Sequence, residues 1–205
     1  MLRKLFLAAT AAMGFFASQA QDSTMKVSYS GGMDGYYRYN FNNQQNNHTS
    51  FTNSQSSFEL GMATLKADAT AMSGKVSAVV DLGFGRRAEE FSYNDGVADA
   101  GKNGFASLAF IKQAYVSYAL TKKLKFTAGK FATHVGYELL DAQLNKNYSM
   151  SHMFTNGPFF HTGVKADIVA GPIGLMVGLS NYTDQSTATT SAKNFIAQAS
   201  YVSKS

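Results

Sequence analysis

The chain has 205 residues, no cysteine and no tryptophan, 18 glycines, 11 tyrosines and 16 phenylalanines, and a formal net charge of +5. Without cysteine there can be no disulfide staple, lipid-modified N-terminal cysteine or zinc-thiolate site. The positive charges are scattered singly along the strands, whereas a groove that tracks phosphates needs them clustered, so nucleic acid is not an expected partner.

Residues 1 to 20 read as a secretory signal peptide. Arg3 and Lys4 form a positive start, Leu5 to Ala17 an apolar core, and Ser18, Gln19 and Ala20 a small-residue cleavage site. A membrane-anchor helix needs about 20 apolar residues, more than this stretch supplies. Cleavage after Ala20 removes Arg3 and Lys4 and lowers the net charge to +3. No later run reaches 18 apolar residues, which excludes helical spans.

Residues 21 to 205 are expected to form one β-barrel domain with eight strands. In Val27 to Phe41 the odd positions carry Val27, Tyr29, Met33, Tyr37 and Tyr39, while Lys26, Asp34 and Arg38 lie on the even side. Strict alternation puts opposite characters on opposite faces, and such a length suits a tilted membrane strand. Asn42 to Gln55 reads as a solvated polar loop. Ser57 to Ala69 switches parity between Phe58, Leu60 and Met62 and Leu65, Ala67 and Ala69, which predicts a β-bulge near Ala63 and Thr64. After a turn at Ser73 and Gly74, Lys75 to Gly85 sets Val76, Val80 and Leu82 toward lipid and Ser77 and Asp81 inward. Arg86 to Gly104 is a second long polar loop.

Phe105 to Leu120 and Leu124 to Val135 form a pair around a tight turn at Lys122 and Lys123. Lys112 and Lys130 fall on the apolar parity of this pair. A charge facing lipid near the midplane costs about 2–4 kcal/mol. Either bulges turn both lysines inward, the preferred reading, or they snorkel to an interface. Tyr137 to Pro158 is a long excursion without periodicity. Phe159 to Ala170 alternates again, with Val164 and Ile168 on the greasy face and His161, Lys165 and Asp167 opposite. A turn at Gly171 to Gly174 leads into Leu175 to Thr183; Asp184 to Lys193 is a polar loop, and Phe195 to Tyr201 the last strand. Connections thus run long, short, long, short, as in barrels that place short turns on one side of a membrane and long loops on the other.

The segments GGMDGYYRYNFNN at 31 to 43, FIKQAYVSYAL at 110 to 120, FTAGKFATHVGYELLDA at 126 to 142 and NYSMSHMFTNGPFFHTGVKA at 147 to 166 resemble the OmpL-like β-barrel porin family of Gram-negative bacteria, abundant in Bacteroidetes. The resemblance spans residues 31 to about 180. It implies an outer-membrane barrel with porin activity. Family members are generally longer and complete barrels end on an aromatic residue, so with the tail Ser200 to Ser205 the chain is expected to be the N-terminal part of a larger barrel.

The polar face supplies the expected lumen lining: Asp34, Arg38, Glu59, Asp81, Gln113, His161, Lys165 and Asp167. In a water-filled lumen, mixed charges set selectivity; in a narrow, plugged barrel they would only satisfy one another. Glu138, Asp141 and Lys146 are constriction candidates if the Tyr137 to Pro158 loop folds inward, and a plain exposed loop is the alternative. Ser149, Ser151 and His152 lie near Asp141, but no strained nucleophile turn precedes either serine, so an enzyme is not expected. His48, His134, His152 and His161 fit no metal-ligand spacing, and no cofactor is expected. Two functions remain: passive diffusion of small hydrophilic solutes through an outer-membrane pore, or a non-conducting structural or adhesive surface barrel. Outer-membrane lipid is the expected surrounding, and open strand edges would favour homo-oligomers.

Overall fold

A computed structural model of the chain describes residues 25–44, 50–95 and 106–203. The expected signal peptide, His48 and Phe105 lie outside the described residues. Eight strands form a single antiparallel sheet: β1 (Lys26–Arg38), β2 (Ser57–Ala71), β3 (Val76–Phe84), β4 (Ile111–Thr121), β5 (Leu124–Ala132), β6 (Phe160–Ala170), β7 (Ile173–Ser180) and β8 (Asn194–Tyr201). Each strand pairs only with its neighbours in sequence order, and β1 and β8 are not paired with each other. The sheet is therefore an up-and-down meander that does not close on itself.

Three tight turns join β2 to β3, β4 to β5 and β6 to β7, and long segments join the other pairs. All the turns lie at one end and all the long loops at the other, as the alternation of connection lengths predicted. Along the strands the two faces differ sharply. Tyr29 and Met33 of β1, Val80 of β3, Val116 of β4, Phe126 of β5, Val164 of β6, Leu175 and Leu179 of β7 and Phe195 of β8 are exposed on the outward face. Facing the other way, Asp81, Ser117, Thr127, Met176 and Ile196 are buried. The inner face is concave: Tyr115, Phe131, Met176 and Ile196, from β4, β5, β7 and β8, pack together, and the Gln198 amide of β8 donates to the carbonyl of His134 just past β5 at 3.4 Å. Exposed apolar side chains on every strand, against an ion-paired concave side, are the arrangement of a sheet surrounded by lipid on its outer face.

Several boundaries depart from the periodicity. The fourth strand starts at Ile111 rather than Phe105, because Ala106–Phe110 is a 3-10 turn whose Phe110 ring stacks on Phe84 with centroids 5.2 Å apart. The β1–β2 bulge sits earlier than Ala63 and Thr64. Asp34 pairs with Met62 and Gly35 with Leu60, so Gly61 is the extra residue, and Met62 turns inward instead of sharing the face of Phe58 and Leu60. A Cβ at Gly61 would lie 2.5 Å from the Tyr148 hydroxyl and 2.7 Å from the Asp34 carboxylate, so only glycine admits both groups. The residues after Asn42 are not simply solvated, since Phe51 is fully buried.

Candidate functional site

At the loop end, the long connections fold onto the inner face around a shared apolar cluster. Phe51 comes from the first loop, Ala88 and Phe91 from helix α1 (Arg86–Phe91) in the second, and Leu140, Met150 and Phe159 from the third; Met62 of β2 and Phe160 of β6 complete it. The third loop, expected from Tyr137 to Pro158, is thus folded inward along much of its length. A short helix within it, α2 (His152–Thr155), is capped by Ser151, whose hydroxyl accepts from the Phe154 amide at 3.2 Å and donates to the Glu138 carboxylate. Ser151 is therefore occupied as a helix cap.

Polar bonds fasten this loop to the strands. Lys112 of β4 is almost wholly buried and its ammonium lies 3.2 Å from the Asp81 carboxylate and 2.7 Å from that of Asp141 in the loop. A bulge achieves this. Asp81 pairs with Gln113 and Leu82 with Ile111, leaving Lys112 as the extra residue and turning it inward beside Gln113. The Tyr148 hydroxyl donates to Asp34 at 2.5 Å, and the second Asp34 oxygen accepts from the Met62 amide at 2.6 Å. Burial, reinforced by that bond to a carboxylate, pushes the Tyr148 phenol up to about 12.

Lys130 is buried by a different route. It pairs with Ala114 and follows Gly129, whose φ of +130° breaks the alternation, so that Lys130 and Phe131 are both buried in succession. Its ammonium lies 2.9 Å from Asp95 and 3.8 Å from the centre of the Phe160 ring. Asp184, in the fourth loop, accepts from the Phe159 and Phe160 amides at 2.6 and 3.0 Å and from the Tyr93 hydroxyl at 3.3 Å. Burial raises its carboxyl above the usual range despite those donors. The two lysines occupy separate sites with separate partners.

The predicted lining residues fall into two groups. Asp34, Asp81 and Gln113 lie beneath the loops; Gln113 donates to Asp81 at 3.4 Å and accepts from the Ala132 amide at 3.1 Å. Arg38 reaches upward, donating to the carbonyls of Thr52 and Gln44. Glu59 accepts from Ser57 and lies 3.9 Å from Arg86. Toward the turns, Lys165 and Asp167 form a pair at 3.4 Å, extended by Lys125 at 3.7 Å. His161 bonds Thr133 at 3.1 Å, with its ring 5.4 Å from that of His134. Burial and the nearby Lys165 charge lower the His134 pKa, against a backbone bond that raises it. Of the constriction candidates, Asp141 reaches the strands, Glu138 stays within the loop, and Lys146 is exposed.

Sequence reasoning missed Arg87, Tyr148, Asp95 and Asp184. Only Lys112 and Lys130 carried a signal, a charge on the apolar parity. Among the described residues no three His, Asp or Glu side chains converge as a metal site requires.

Residues 26–205 match the model of the family described as "putative beta-barrel porin-2, OmpL-like". The chain belongs to this family. The match covers the whole described sheet, and the eight-stranded, all-antiparallel, two-faced architecture is that of an outer-membrane β-barrel protein. No match was found among curated proteins. Membership makes the chain porin-like and ties it to the outer membrane, with lipid on its outward face.

Proposed function

We propose that the protein gives small hydrophilic solutes passive passage across the outer membrane, along the inner face of the sheet and past a constriction made by residues 137–158. One observation carries this reading: the third loop is bound to the inner face through Asp141 and Tyr148, leaving charged groups on the concave side below it. Asp34, Asp81, Gln113, His161, Lys165 and Asp167 then line the path and Asp141 narrows it, while Glu138 shapes the loop and exposed Lys146 adds charge at its tip. The chain reaches the membrane after export and cleavage behind Ala20.

Eight strands closed into a barrel would leave an interior filled by side chains. In lipid the unpaired edges of β1 and β8 would be costly and need partner strands, from the same or another chain. The eight strands alone are therefore expected to conduct little. The test is solute-dependent swelling of proteoliposomes holding residues 21–205, beside a longer family member. Swelling with small sugars for the longer protein, and little for these strands, supports the reading; large stable conductance from monomeric residues 21–205 sinks the strand-count argument, and no swelling in either sinks the pore.

A non-conducting surface barrel is the second reading. The apolar cluster of Tyr115, Phe131, Met176 and Ile196 on the inner face favours it, because such side chains occupy space that water would need.

A further inference from the structure

Arg87 is the largest fully buried side chain in the described structure, and it has no carboxylate partner within ion-pair distance among the described residues. A guanidinium removed from water without a counter-charge is costly and needs compensation by other means. What surrounds it comes from two other loops. Its central carbon lies 5.6 Å from the centre of the Phe51 ring of the first loop and 5.0 Å from that of Tyr148 in the third. Its two terminal nitrogens donate to the carbonyls of Leu140 and Tyr148, at 3.5 and 3.4 Å. The fork thus bridges two points of the third loop, one on each side of residues 141–147, while its central carbon lies over two aromatic rings.

We infer that Arg87 is the positioning residue that holds the third loop in its inward place. This rests on the proposed constriction for its consequence, though not for its geometry. The Asp81–Lys112–Asp141 bridge and the Tyr148–Asp34 bond hold the loop against the strands. Arg87 instead ties it to α1, itself packed on the first loop through Phe51. Three loops therefore move together or not at all. An arginine suits this role better than a lysine, because it stacks and donates in two directions at once.

The third loop carries its own reporter. Lys146 is exposed and is the sole Lys or Arg between Ala132 and Phe159, so trypsin can cut there and nowhere else in the loop. Cutting of a docked segment follows the population of its released form when opening is fast. The exported full-length protein, folded in detergent, would be treated with trypsin and cleavage after Lys146 followed by mass spectrometry. Arg87→Met should raise that rate roughly tenfold, the factor given by about 1.4 kcal/mol of lost docking. Arg87→Lys, with the charge but not the fork, should fall between. A rate for Arg87→Met equal to the parent's overturns the inference. Should Arg87→Met fail to fold, Tyr148→Leu takes away one stacking ring from the loop side, and an unchanged rate there overturns it equally. Solute flux in proteoliposomes separates the two ideas: faster cutting without increased flux keeps Arg87 as the loop's anchor and removes the constriction, whereas faster cutting with increased flux supports both.

Discussion

The turn end and the loop end of the sheet are made from the same eight strands but held by different forces. At the turn end each strand alternates, the outward side chains are exposed and apolar, and polar groups such as Ser117 and Thr127 bond across the inner face at 2.8 Å. At the loop end alternation fails: Lys130 and Phe131, and Phe160 and His161, are buried in consecutive pairs. The first region depends on a solvent, lipid, and the second on specific partners. Substitutions should therefore cost by face at one end and by partner at the other.

The largest effect is expected at Lys112. Lys112→Met leaves Asp81 and Asp141 facing one another without their cation, and breaking a buried ionic group in this way costs about 3–5 kcal/mol. Urea unfolding in phospholipid vesicles would measure it, and adding Asp81→Asn and Asp141→Asn should restore most of the loss. A triple variant no better than the single one would break the partner account of the loop end.

On the outward face, Val80→Arg or Val164→Arg should cost about 2–4 kcal/mol near the midplane, and Ser77→Arg on the inner face much less. Equal costs on both faces would mean that the outward face is not in lipid. Next, Asp184→Ala deprives the buried Phe159 and Phe160 amides of their acceptor, for about 1–3 kcal/mol. Hydrogen exchange at those two amides should quicken without a matching change in β2.

The smallest effect concerns pH. His134 has a depressed folded pKa, so the unfolded chain takes up its proton first as pH falls through 6.5, and stability is lost below that value and intact above it. The drop in urea midpoint between about pH 7.5 and 5.5 should shrink in His134→Gln. An unchanged drop would assign the dependence to other groups.

Much of the sheet was legible in the sequence because alternation is local. Val80 and Asp81, or Val164 and Lys165, declare their faces through nearest neighbours alone. Even the exceptions announced themselves, since Lys112 and Lys130 on the greasy parity required a device to bring them inward. The device was legible for one lysine only: β4 uses the expected bulge, with Lys112 as the extra residue, while β5 uses the positive φ of Gly129 instead. The bulge in β2 was foreseen but misplaced by two residues, because Gly61, with no side chain, carries no parity of its own.

The site was less legible. Asp34, Asp81 and Asp141 could be named as polar groups on a face or in a loop, but their partners lie up to 114 residues away, as for Asp34 and Tyr148. Arg87 sits in a run of charged residues that reads as solvated, and Phe51 in a polar stretch that reads as loose.

By itself, the sequence determined the all-β class, the number and order of strands, the sorting of long loops from short turns, and, wherever alternation runs unbroken, which side chains face outward. Each of these follows from residues a few positions apart, through the two-residue period of a strand and the chemistry of turns. Tertiary structure alone decided that the loops share one apolar cluster, that the third loop lies against the inner face, and that Arg87 is buried between Phe51 and Tyr148. Those contacts join segments with no common period, and they form only once pairing of the strands has carried the loop ends to the same side of the sheet.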